Sequence, residues 1–172
     1  MEEKEFPNVL IDTTLGHFQV ELWEHRAPIT VKNFVQYVRE SFYDGTIFHR
    51  VIDNFMIQGG GLTPDMRLKQ SGLHSAIKNE AEAGLSNVKG TISMARTKEI
   101  DSASSQFFIN VNDNTFLDHQ NETPKGFGYA VFGRVIEGMD VVDKISKLKT
   151  STIGPHSDVP AKPVMINSIK VL

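Results

Sequence analysis

Apolar and polar residues alternate along Phe18-Gln19-Val20-Glu21-Leu22, the period of a strand buried on one face. Val9-Leu10-Ile11 precedes it, and Thr13-Thr14-Leu15-Gly16 reads as the turn that joins the two into a hairpin. The period changes after Pro28, a residue favoured in the first turn of a helix. Val31, Phe34, Val35 and Val38 then recur on one helical face, with Lys32, Gln36 and Arg39 elsewhere, and the helix stops near Tyr43-Asp44-Gly45. Further strands are predicted at roughly 47–52, 55–58, 90–95, 106–111, 129–135 and 164–171. A second helix opens at Gly138-Met139-Asp140, with Val141, Ile145 and Leu148 as its apolar stripe. Gly59 to Lys89 and Thr150 to Pro163 read as loops, and a loop as long as the first is usually functional. Eight strands and two helices with little βαβ alternation predict a mainly β fold: a closed eight-stranded antiparallel β-barrel, free of exposed edges and capped by two α-helices. Residues 1–172 are expected to form a single domain, with 1–6 as a flexible N-terminus.

The run from Phe48 to Gly61, FHRVIDNFMIQGGG, is the most informative stretch. It reads as two short strands joined at Asp53-Asn54, a turn-forming pair. Residues two apart share a strand face, so Arg50 lies with Ile52 and Met56 with Gln58. A core face should be apolar and a solvent face polar. These faces are mixed, which suits a pocket for a ligand that is apolar in the middle and amide-polar around it. Taken singly, Arg50 snorkelling from a strand or Gln58 bonding a loop is the plainer reading. The pattern returns at Gln106 and Phe108. His49 adjoins Arg50, but alternation sends it to the opposite face, where a structural, hydrogen-bonding role is expected.

Composition narrows the classes. The chain has 172 residues, no cysteine, 40% hydrophobic residues and a net charge of −3. That suits one soluble globule with a sizeable core. There is no basic excess to indicate nucleic acid, no apolar run long enough to span a bilayer, and the acidic start does not read as a signal peptide. The cytoplasm is the default compartment and a monomer the default state. The six histidines make no metal-ligand spacing, the Gly59–Gly61 run is no phosphate loop, and no G-x-S-x-G elbow occurs. No cofactor or metal is expected.

Five stretches in order carry a family resemblance: FHRVIDNFMIQGG, GTISMAR, SSQFFIN, Phe116-Leu117 and YAVFGRVIEGMDVVDKI. In these the chain resembles the cyclophilins, peptidyl-prolyl cis-trans isomerases that bind cyclosporin, and most of all their bacterial cytoplasmic members. The resemblance implies a barrel filled with side chains, with the ligand groove on its outside. Matched residue by residue, it implies Arg50 as the catalytic arginine and Phe55, Met56, Phe108 and Leu117 as a slot for the proline ring. Gln58 would hold Arg50 and touch substrate. The backbone at Ala95, Arg96 and Thr97 would pair with an extended peptide, with Gln106, Phe116 and Tyr129 also at the site. Phe48, Phe107 and Phe132 are assigned to the core. Many eukaryotic relatives have tryptophan at Phe116, asparagine at Arg96 and histidine at Tyr129, and a shorter segment than Asp118 to Phe127. These departures bear on cyclosporin affinity, implied to be weak, and on preference for residues flanking proline.

The reading is therefore an isomerase for Xaa-Pro bonds that assists folding, acting on proline-containing peptides and client proteins. The alternative is a proline-peptide-binding chaperone or scaffold module with little turnover. A small-ligand barrel of the lipocalin type would need an interior cavity, against which the bulky Phe, Ile and Met of the strands argue.

Overall fold

The computed structural model describes residues 6–172. The expected flexible N-terminus therefore lies outside the described residues, except for Phe6, whose ring stacks on His25 at 4.7 Å. The first alternating segments form β1 (Asn8–Thr13) and β2 (Gly16–Leu22). Val9 pairs with Val20 and Ile11 with Phe18, and all four side chains are fully buried. The other strands are β3 (Arg50–Ile52), β4 (Met56–Gly59), β5 (Thr91–Met94), β6 (Phe107–Asn110), β7 (Val131–Glu137), β8 (Thr150–Ile153), β9 (His156–Pro160) and β10 (Ile166–Val171).

Eight of these make one antiparallel sheet in the order β10-β1-β2-β7-β5-β6-β4-β3. The predicted closed barrel is corrected here. The end strands β10 and β3 do not pair, so the sheet is an open half-barrel. Single contacts span the gap instead: Ile47 bridges both Leu62 and Met165, and Phe48 N–H donates to the Val164 carbonyl at 3.0 Å. Pro163 has no N–H to extend a ladder beside it, and β10 begins only at Ile166. A second correction concerns 150–163. It is not a loop but contains the β8–β9 hairpin, which packs against β3. Its Ser, Thr, Gly and Pro content reads as loop, while Thr150, Ile153 and Val159 supply β-branched residues that pair.

The interior is solid. Phe34 of helix α1 (Pro28–Arg39) meets Phe107 edge-on at 5.5 Å and Phe132 at 5.3 Å, and Tyr43 meets Phe107 edge-on at 5.4 Å. Phe48, Phe107 and Phe132 are fully buried, which leaves no room for a ligand among these rings. Pro28 opens α1, and the orphan N–H of Thr30 in its first turn donates to Glu80 Oε1 at 2.6 Å. A carboxylate there also complements the helix dipole. Helix α2 (Met139–Ser146) buries Val142 and Ile145. Val141 and Leu148, expected in the stripe, are only partly buried, and Leu148 lies past the helix end. Among the described residues no helix is long and apolar enough to cross a membrane.

Candidate active site

The turn at Asp53-Asn54 forms as its sequence demands, with Asn54 at φ 64°, a conformation asparagine tolerates. It sets β3 against β4 with Arg50 opposite Gln58, Val51 opposite Ile57 and Ile52 opposite Met56. β6 continues the rows, placing Phe108 beside Gln58 and Ile109 beside Ile57, and β5 adds Ser93 beside Phe108 and Ile92 beside Ile109. Val51, Ile57, Ile109 and Ile92 form the inner row and are buried. The outer row is Arg50, Gln58, Phe108 and Ser93. The mixed composition noted in the sequence is thus one face of four adjacent strands, turned away from the core.

A groove of about 180 Å³ lies on that face. Phe55, Met56, Phe108 and Leu117 supply apolar lining, and Arg50, Gln58, Ala95, Arg96 and Tyr129 the rest. Met56 and Phe108 are buried, whereas Arg50 is exposed. Among the described residues no carboxylate pairs with Arg50. A second pocket of about 240 Å³ shares Gln58, Ala95 and Arg96 and adds Thr97, Gln106, Leu68 and Leu73. Gln58 Nε2 donates to Gln106 Oε1 at 3.1 Å on the wall common to both. Gly61 gives the Gln106 side chain its space, because a Cβ there would overlap it. Gly60, at φ +88°, passes against the rings of Phe107 and Tyr43, where a Cβ would sit 2.8 Å from each. The glycine run therefore serves close packing.

No hydrogen bond joins Gln58 to Arg50 among the described residues, so the expected holding is not seen; the Gln58 Nε2 donates to Gln106 instead. Phe116 does not line the groove. It is 64% exposed on the rim, stacked on Phe55 at 5.8 Å. The Arg96 side chain has a task that the sequence did not suggest. It donates to the carbonyls of Gly128 at 2.8 Å, Thr97 at 3.1 Å and Pro124, and lies 5.3 Å from the Tyr129 ring centroid. It ties the 118–127 segment to the groove.

A buried amide network stands behind the slot. Asn110 Nδ2 donates to Thr91 Oγ1 at 2.9 Å and to Asn87 Oδ1 at 3.2 Å. Asn114 Nδ2 donates to Asn110 Oδ1 at 2.9 Å and to the Phe55 carbonyl at 2.8 Å. Asn114 also precedes the single turn Thr115–Leu117 that carries Leu117. Asp118 accepts from Asn87 N–H at 2.7 Å and from the Ser86 hydroxyl at 2.5 Å. These bonds fix both walls of the slot. His49 is buried, but the hydrogen-bonding role expected of it is not seen: its Nδ1 has no hydrogen-bond partner. Burial, then His156 and Arg50 nearby, lower its pKa to about 4.

A family model for the cyclophilin type peptidyl-prolyl cis-trans isomerase matches residues 8–171. The chain belongs to this family. Two relatives bear this out. A peptidyl-prolyl cis-trans isomerase A of Dickeya dadantii is 55% identical, over 96% of this chain and 84% of its own. A peptidyl-prolyl cis-trans isomerase of Streptomyces antibioticus is 56% identical, over 95% of this chain and 98% of its own. A Cryptosporidium parvum cyclophilin, solved in the presence of the dipeptide Ala-Pro, superposes with a TM-score of 0.77. It is 26% identical and covers 96% of this chain and 98% of its own. The cyclophilin fold thus runs through the half-barrel and both helices.

Proposed function

We propose that this cyclophilin accelerates cis-trans isomerisation of Xaa-Pro bonds in the outer groove, with Arg50 as its catalytic residue. The Xaa-Pro bond favours trans by only about 0.5–1 kcal/mol, yet its isomers interconvert over tens to hundreds of seconds. Resonance across the C–N bond sets a barrier of roughly 18–20 kcal/mol. Catalysis needs no nucleophile. It needs a site that favours the twisted amide over both planar forms. In that state the prolyl nitrogen regains its lone pair and becomes a hydrogen-bond acceptor. Phe55, Met56, Phe108 and Leu117 would hold the proline ring and exclude water. The Arg50 guanidinium would donate to the nitrogen or the carbonyl and weaken resonance. Gln58, Gln106 and the backbone at Ala95, Arg96 and Thr97 would align the peptide, with Tyr129 and the rim residue Phe116 flanking it.

The observation that carries this reading is Arg50 itself. It is a permanent cation, exposed and without a carboxylate partner among the described residues, in the same groove as an apolar slot. A pure binding module has no need of a cation there. The same reading has the chain working as a single-domain monomer in the cytoplasm on proline-containing stretches of client proteins. The test is a proline-isomerisation assay with the purified protein in excess chelator. Turnover well above the spontaneous rate is expected. Peptide binding with only the spontaneous rate would make the protein a chaperone or scaffold module.

Weak cyclosporin binding belongs to the same proposal. Phe116 offers a flat ring but no N–H donor, where tightly binding relatives have tryptophan. A lost hydrogen bond is worth about 0.5–1.5 kcal/mol, and an unpaired buried acceptor costs about 1–3 kcal/mol. Affinity roughly ten- to a hundredfold below those relatives is expected. Phe116→Trp should recover much of it with little change in peptide turnover. Equal affinities of the two proteins in calorimetric titration would remove Phe116 as the limiting residue.

A further inference from the structure

Beyond the proline groove and the pocket next to it lies a third, wider depression of about 540 Å³. Arg96, Thr97, Lys98, Pro124, Lys125 and Tyr129 line it. Arg96 and Tyr129 also line the proline groove, so the two are continuous. The lining holds three cations and no carboxylate, on a chain whose net charge is −3. Lys98 and Lys125 are exposed, and neither they nor Arg96 forms an ion pair among the described residues. The nearby acids are otherwise engaged or do not line it. Glu122 faces His119 at 3.5 Å, Asp118 is bonded to Ser86 and Asn87, and Asp101 accepts from Asn79 N–H at 2.9 Å. Glu99, next to Lys98 in sequence, is not part of the lining.

The Arg96 guanidinium is held by four backbone carbonyls, those of Thr97, Lys98, Pro124 and Gly128, which fix its position but leave its full charge uncompensated. It is thus a positioned cation at the junction, with two exposed lysines beyond it. A peptide seated by its proline would extend past this junction at about 3.3 Å per residue. We infer that the depression is a subsite for an aspartate or glutamate side chain of the substrate, about two or three residues from the target proline. This deepens the isomerase reading by giving that groove a flanking-residue preference. Arg96 and the lysines act here as specificity residues. Their field raises the local concentration of acidic peptides, and their attraction is screened by salt.

The test uses one Xaa-Pro peptide with neutral flanks and variants carrying a single glutamate, glutamine or lysine at each of the three positions on either side. Turnover of the neutral peptide tests the isomerase reading by itself. The subsite predicts that glutamate at one or two positions on a single side raises kcat/KM about two- to fivefold over glutamine at low salt, the size expected of exposed ion pairs. Near 1 M salt, where the Debye length is about 3 Å, the advantage should vanish. In the double variant Lys98→Glu/Lys125→Glu the preference should pass to the lysine peptides. Calorimetric binding of the same peptides reads the preference even where turnover is absent. Equal values for glutamate and glutamine peptides at every position overturn the proposal, as does a preference that the double variant leaves intact.

Discussion

Replacing Arg50 with alanine is expected to lower kcat/KM for Xaa-Pro substrates by about 10²–10³, the loss that follows removal of one preorganised donor aimed at the reacting group. That is roughly 3–4 kcal/mol of transition-state stabilisation. The loss should fall on kcat more than on KM, because the donor gains an acceptor only when the prolyl nitrogen leaves conjugation. The proline slot keeps its walls in the variant, since Asn114 and Asn110 hold Phe55 and Leu117 without help from Arg50. The side chain is exposed and β3 is fixed by the buried Val51, so the fold should be unchanged. Arg50→Lys separates charge from shape. The ammonium keeps the charge but lacks the planar fork, and an intermediate rate is expected if orientation matters. Stopped-flow isomerisation with circular dichroism as the control decides it. A folded Arg50→Ala protein with near-normal turnover would move the chemistry to another residue.

The outer face was legible because its residues break the rule for either kind of strand surface. Arg50 with Ile52, and Met56 with Gln58, suit neither a core nor water, and the Asp53-Asn54 turn fixes their register. The inner face was equally legible, since Val51, Ile57 and Ile109 could go nowhere but inward. Closure of the barrel was not. Alternation says which face a strand buries but not whether the first and last strands meet, and here single bridges at Ile47 replace a ladder. The β8–β9 hairpin was hidden by its turn-forming composition. The network behind the slot was hidden for a similar reason. Asn87, Asn110 and Asn114 are residues that usually mark turns, and nothing local shows that they are buried. Their partners lie far off in sequence, Asn114 reaching Phe55 and Asn87 reaching Asp118. Arg96 was assigned for its backbone. Its side chain contacts at Pro124 and Gly128 depend on how a distant loop folds back.

His49 should make the protein lose stability in mild acid, starting well above the range where ordinary carboxylates titrate. In the folded protein its pKa is lowered to about 4, first by burial and then by the neighbouring His156 and Arg50. The rings of His49 and His156 lie 6.2 Å apart at 81°, and the buried His49 Nδ1 has no hydrogen-bond partner to stabilise an imidazolium N–H. In the unfolded chain its pKa returns to about 6.5. Between these values the unfolded state binds a proton that the folded state refuses, so stability rises with pH across this window and falls as pH is lowered. The contribution is complete above about pH 6.5. About 2 kcal/mol of it is gone by pH 5 and about 3 kcal/mol by pH 4, at about 1.36 kcal/mol per pH unit. Below that the folded state accepts the proton as well and the loss levels off. His49→Phe keeps a planar ring beside His156, removes the titration, and removes the unpaired nitrogen. Urea unfolding at pH 7.5, 5 and 4 should therefore show a steep decline for the native sequence and a markedly flatter one for His49→Phe, whatever their difference at pH 7.5. Parallel declines would assign the acid sensitivity to other groups and remove His49 as its source.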